Sequence, residues 1–337
     1  MARFSLLIIC SSALLVGSAG TWATARIEPG TMPEQDDFLH EALDTAIDDE
    51  RHAIAFYTAV MKTHGERRPF SNIIRAERRH EAALLQQYTR LGLTAPTDRW
   101  QDRAFEVPKA FADACDASAV AEVRNVKIYE NLKDSVEDQQ VLAVFENLRW
   151  ASAERHLPAF RRHGNGWKTL AKDTPTDAQR RQRDAAMDAQ QSMFKALLSE
   201  LSEGIKQGGA VNAIDVCATR APMIAAEQSA KLGVRIGRTS WKLRNQDNKP
   251  PIWADLAIDD RPSDAISFAD QSGRLGTLSP IRLAANCLQC HGAPDDLAPG
   301  VADALARRYP QDQATGFAEG DLRGWFWVEV PAPVEQE

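Results

Sequence analysis

Residues 287–291 read Cys287-Leu288-Gln289-Cys290-His291, followed by Gly292. Thiols three positions apart lie on one helical turn, so both can reach one edge of a planar macrocycle. The imidazole that follows stands where it can bond a metal at the ring's centre. This is the pattern of covalent c-type haem attachment, with Cys287 and Cys290 taking the two vinyl groups and His291 one axial position on the iron. A disulfide and a thioredoxin-like redox pair are the competing readings of Cys-x-x-Cys. The latter wants a neighbouring βαβ unit, which the surrounding sequence lacks.

The iron's other axial ligand can be narrowed by elimination. The remaining histidines, His40, His52, His64, His80, His156 and His163, all precede residue 164. Ligation by two imidazoles from the carboxy-terminal segment is therefore excluded. Its soft donors are Cys217, Met187, Met193 and Met223. A thiolate would push electron density onto the iron and lower its potential, whereas a thioether would raise it. The competing roles are an inert buried thiol for Cys217 and a core position for Met223. Five cysteines, of which Cys10 and Cys115 lie elsewhere, are too few for a disulfide scaffold in 337 residues.

A second set of ligand-type residues lies near the amino terminus. Glu50 is one turn from Ala46, Ile47, Ala53 and Ile54, and Glu77 and His80 form a Glu-x-x-His pair between Ile74 and Leu84. Carboxylates on an apolar stripe point inward, and a buried carboxylate costs several kcal/mol unless it is paired or metal-bound. Such a set suits iron or manganese. A two-metal bundle uses one Glu from each of two helices and Glu-x-x-His from the other two. Here the third helix offers Glu122 or Glu130 and the fourth offers His156. Ala153 stands where the second Glu would be, and Glu154 is out of phase. In the inert alternative Glu77 and His80 are satisfied by Arg and Tyr partners. His52 falls on a more polar face and reads as exposed.

The elements that position these groups follow from periodicity. Residues 1–25 have a single Arg3, an apolar run and the small pair Ala23 and Ala25, the layout of a signal peptide cleaved near Ala25. The apolar run is short of the roughly 20 residues that span a bilayer. The expectation is a periplasmic protein without stable membrane insertion after cleavage. Helical spacing predicts helices over about 36–65, 70–91, 118–136 and 138–163. Short, long and short connections give a ferritin-like four-helix bundle over 36–163. Residues 164–176 read as a linker. Over 177–331 a long leading helix (177–205) and strand-like runs at 234–241 and 325–330 read as an α+β domain. A length of 337 residues suggests about two folded units. With 40 Lys+Arg against 47 Asp+Glu and a net charge of -7, no basic face is available for nucleic acid.

Two stretches resemble known families. The segments "DERHAIAFY" (49–57), "FSNIIRAERRHEAALL" (70–85) and "VFENLRWASAERHLPAF" (144–160) resemble a ferritin-like family of bacterial proteins of mostly unassigned function, whose relatives have acidic residues where this chain has Arg124 and Asn125. The segments "AIDVCATRAPMIA" (213–225), "GVRIGRTSWKLRNQDNKPPIW" (233–253), "PIRLAANCLQCHG" (280–292) and "ATGFAEGDLRGWFWV" (314–328) resemble a PAS-like c-type haem-binding family, found as a stand-alone cyanobacterial haem protein and as the periplasmic sensing part of bacterial signalling proteins. That resemblance implies a PAS-like fold and iron held by His291 and Cys217. Arg238 and Arg244 stand in its Arg-Thr-Ser and Arg-Asn blocks, where either can meet a haem propionate or a structural acid.

The expected function is redox or diatomic-gas sensing by an exported haem c protein, with possible electron transfer. Its partner would be a periplasmic redox or signalling protein, and the leading helix could support a homodimer. The alternative is an oxidoreductase in which two Fe or Mn ions in the bundle form an oxidase or peroxidase centre fed by the haem.

Overall fold

The computed structural model describes residues 35–171 and 174–333. The expected leader, with Cys10, lies outside the described residues. Helices α1 (Gln35–His64) and α2 (Phe70–Leu91) form the first hairpin. The second closes at Gly92, whose φ of 68° lets its N–H reach back to the last carbonyls of α2. After a long crossover, α3 (Phe111–Leu132) begins well before the expected start near Ser118, because Phe111, Ala114 and Cys115 already pack into the core. Asp138 caps α4 (Gln139–Ala151), accepting from the N–H groups of Gln140 and Val141 at 3.0 Å. A single wide π turn, Ser152–His156, then leads into α5 (Leu157–His163).

These helices pack as two hairpins with two apolar layers. One contains Leu43, Ile47, Leu84 and Phe145, the other Tyr57, Phe70, Ile74 and Phe160. Along every helix a polar residue separates the layers: Glu50, Glu77, Glu122 and His156, all buried. The bundle core is thus continuous except for one ionisable stratum.

The rest of the described chain is built on a five-stranded antiparallel sheet. Its strands are β1 (Lys168–Thr169), β2 (Arg235–Thr239), β3 (Ile266–Ala269), β4 (Leu275–Arg282) and β5 (Leu322–Val330), in the order β1-β3-β4-β5-β2. The stretch 164–176, expected to be a linker, therefore contributes an edge strand. The leading helix α6 runs on past 205, over Asp177–Leu232, broken at Gly208 and Gly209. Its start is fixed by reciprocal hydrogen bonds between Thr176 and Gln179.

Residue alternation along β5 explains how both faces of the sheet are covered. Phe326, Val328 and Val330 meet Ala186, Ala189 and Met193 of α6, while Trp325 meets Trp253 and Ile258 of α7 (Ile252–Asp259). After β4 the chain turns into the short helix α8 (Leu288–His291), then α9 (Val301–Arg308) packs on the second half of α6 through Ile214, Val301 and Leu305. The fold is thus α plus β.

Replacing Leu84, which is fully buried where α2 faces α1 and α4, by Ala should cost about 2–5 kcal/mol. Urea unfolding of the whole chain checks this, with a lower midpoint as the expected outcome.

Candidate functional site

The Cys287-to-His291 segment lies between two apolar clusters. Cys287 and Leu288 pack with Leu283, Ala314 and Phe317, and Cys290 packs with Ile214, Val301 and Leu305. The motif therefore bridges the sheet's β4 exit and the second half of α6. His291 Nδ1 lies 2.8 Å from the Ala314 carbonyl oxygen. A carbonyl only accepts, so this 2.8 Å contact, much shorter than the 3.3 Å approach of the Arg323 Nε–H to the same atom, puts the proton on Nδ1 and leaves Nε2 a free lone pair. Burial, followed by the charges of Arg244, Arg323 and Arg238, pushes the His291 pKa down to about 2. Burial and the neighbouring guanidiniums thus favour the neutral imidazole.

Three guanidinium groups surround this imidazole. Arg244 donates from Nε to Asp312 at 3.1 Å, and from an Nη to the carbonyls of Cys290 at 2.6 Å and Ala314 at 3.1 Å. Arg244 thereby ties the motif to the loop that orients His291. Arg323 donates to the Lys242 carbonyl and stands 3.3 Å from His291 Nδ1. Burial, with Arg244 and Arg238 nearby, pulls its pKa down to about 9. Arg238, on the α6 face of β2, is also pulled down by burial, and the groups that offset this are Cys217 and Tyr309 rather than a carboxylate. Around the motif, among the described residues, three guanidiniums face one acid, Asp312.

Cys217 is the soft donor that the fold brings to this place. It lies on the second half of α6, where burial raises its pKa while Arg238 and Arg244 pull it down. It also lies close enough to Cys290 to raise that thiol, whose first cause of elevation is burial. Met193 is buried against the sheet, and Met187 and Met223 are 56% and 51% exposed, so these three are placed elsewhere. Arg323, Asp312, Tyr309 and the Ala314 carbonyl were not found from the sequence. Arg323 could have been suspected inside the block 314–328, but a backbone acceptor has no residue signature.

In the bundle the structure brings together Glu50, Glu77, His80, Glu122 and His156. Glu130, the other candidate on α3, is exposed, because it falls one position beyond the inward Tyr129. His80 Nδ1 lies 2.7 Å from Glu77 and 3.2 Å from Glu50, and His156 Nδ1 lies 3.0 Å from Glu77 and 3.5 Å from Glu122. Tyr129 donates to Glu50 at 2.6 Å and Tyr57 to Glu122 at 2.7 Å. Each tyrosine lies two turns beyond a glutamate on the same stripe, a signal that the sequence offered. Burial, then the charge of Glu77, lifts Glu50 to about 7 against His80 and Tyr129. Burial disfavours charge on the two imidazoles, but their carboxylate neighbours overcome it and lift His80 to about 9 and His156 to about 10.

Two expectations about this layer are corrected. The position facing inward one turn before His156 is Ser152, not Ala153, because the π turn adds a residue to that turn. His52 is half-buried beneath Trp100, with ring centroids 4.5 Å apart, rather than exposed.

The family model described as Tll0287-like matches residues 117–331, from within α3 to the end of β5. Among solved structures, the "cyanobacterial heme-protein Tll0287" is 24% identical with a TM-score of 0.34, covering 45% of this chain and 98% of its own. The "hypothetical protein MJ0754 from Methanococcus jannaschii DSM 2661" is 20% identical with a TM-score of 0.34, covering 42% and 84%. No curated protein matches the chain.

Replacing Arg244 by Ala would leave Asp312 buried without its partner, at a cost of about 3–5 kcal/mol. Chemical denaturation should show the lower midpoint, and an unchanged midpoint would mean that Arg244 does not brace the motif.

Proposed function

The chain belongs to the Tll0287-like family, and from that premise we propose that it is an exported c-type haem protein with a redox-sensing or electron-transfer role. The family takes its name from Tll0287, a cyanobacterial heme-protein. The observation that carries the reading is the Ala314 contact to His291 Nδ1, which leaves Nε2 free at the end of the turn that carries Cys287 and Cys290. The surplus of buried guanidinium supports the same group, because a haem brings two anionic propionates. Arg238 and Arg323 would hold these, Cys287 and Cys290 would attach the ring, and Cys217 would take the second axial position.

Bound haem supplies one-electron exchange and, where an axial bond yields, a place for a small ligand. The protein's own part is electrostatic and positional. Ala314 orients the His291 ring, Arg244 holds the motif's backbone, and apolar clusters pack against Cys287 and Cys290. A thiolate is a stronger ligand than a thiol, and burial raises Cys217 while Arg238 and Arg244 oppose it, so these groups would set how strongly Cys217 held the iron. The signal or electron would pass to a periplasmic redox or signalling protein.

One observation favours a second centre. Glu77, His80 and His156 can place their ligand atoms within 4.8 Å of one another. We therefore also read the bundle as a metal centre, which would make the protein an oxidoreductase if haem electrons reach it.

The haem reading is tested on the purified mature protein by its pyridine haemochrome spectrum after acid-acetone extraction. One haem per chain should remain attached, and the double replacement of Cys287 and Cys290 by Ala should release it. Extractable haem in the unaltered protein would remove the covalent reading. With Cys217→Ser, haem should be retained, the ferric spectrum should shift and the potential should rise; an unchanged spectrum would exclude Cys217 as ligand.

A further inference from the structure

We propose that the bundle holds one divalent transition-metal ion rather than a pair, on Glu77, His80 and His156, with Glu50 and Glu122 as flanking carboxylates. This rests on the reading of the bundle as a metal centre and specifies it.

The donor set is buried between the bundle's two apolar layers. Glu77 and His156 are 3% and 4% exposed, and the His80 and His156 rings stack with centroids 5.5 Å apart. His156 Nδ1 lacks a hydrogen-bond partner, although the carboxylate of Glu77 is only 3.0 Å away. An imidazole nitrogen buried beside an oxygen, but not aligned on it, fits a cation between them better than a proton. Two imidazoles and a carboxylate with further carboxylates beside them suit Fe(II) or Mn(II). Tyr129 and Tyr57 hold Glu50 and Glu122 through one oxygen each, fixing their orientation toward the centre.

Where another ion would lie, Asp49, Asn125 and Ser152 form a closed chain. Ser152 donates to the Asn125 carbonyl oxygen at 2.6 Å, and the Asn125 amide donates to Asp49. That chain contains no imidazole, and the carboxylate oxygen of Asp49 that faces it is already an acceptor. The π turn brings Ser152, rather than Ala153, to the position where a second glutamate would face inward. Beside the chain lies a cavity of about 20 Å³, lined in part by Asp49, Glu50, Tyr57, Glu122 and Asn125. Glu77 and His52 also line it, and it is large enough for one water.

The test uses the full mature protein with haem in place, stripped with a chelator and titrated with Mn(II), free ion being read from its six-line EPR signal. One Mn(II) per chain is expected. Glu77→Gln and His156→Gln should weaken binding at least about tenfold, while Asp49→Asn should leave one ion bound with affinity within about threefold. Two ions per chain would overturn the single-ion inference and keep the metal centre. No bound Mn(II) would overturn both, leaving the separately measured haem untouched. Far-UV circular dichroism and haem absorbance check that each variant folds, and the stoichiometry of the unaltered protein decides the matter if none does.

Discussion

Buried charge organises both halves of this molecule. A guanidinium or a carboxylate removed from water costs several kcal/mol unless it is paired, and folded proteins seldom retain such groups without use. Around His291 the surplus is positive, with Arg238 and Arg323 meeting no acid comparable to the Asp312 that holds Arg244. Around Glu77 the carboxylates outnumber the imidazoles. The first surplus suits an anionic, iron-bearing ring and the second a cation. The surrounding elements hold these two places in register.

The scaffolds differ in how they do this. In the bundle, four helical segments each deliver one residue to a single stratum, with complete apolar layers on either side. Rigidity there comes from packing, and the tyrosines lock the flanking glutamates. In the sheet domain the ligand segment is a short turn and one helical turn, too small to hold itself. Its geometry is borrowed from the Ala314 carbonyl, the Arg244 clamp and the α6–α9 cluster.

The two halves also touch. Arg124 of α3 pairs with Asp255 of α7 at 3.0 Å, and Asp259 lies 3.5 Å away. Pairs this exposed contribute about 0–1 kcal/mol, so the contact orients more than it stabilises. Arg124 lies between Glu122 and Asn125, in the helix that supplies the bundle's polar layer. The Tll0287-like match begins within this same helix.

What the sequence determined by itself was whatever depends on local spacing. The Cys-x-x-Cys-His turn, the Glu-x-x-His pair, the helices before residue 164 and the strand rich in Trp and Val are all written in periods of two or of three to four residues. Inward placement of Glu50, Glu77 and His80 followed from the same stripes. Tertiary structure alone decided what depends on a distant partner or on a backbone irregularity. The Ala314 carbonyl that selects the tautomer of His291 has no side-chain signature. The choice between Arg238 and Arg244 turned on where Asp312 lies, and the choice of Glu122 over Glu130 on a phase that Tyr129 completes. The π turn at Ser152 moved a facing position by one residue, which no regular period anticipates. The strands β1, β3 and β4 were unread because they are short or interrupted by Gly and Pro, and acquire their pairing only when β5 lies beside β4.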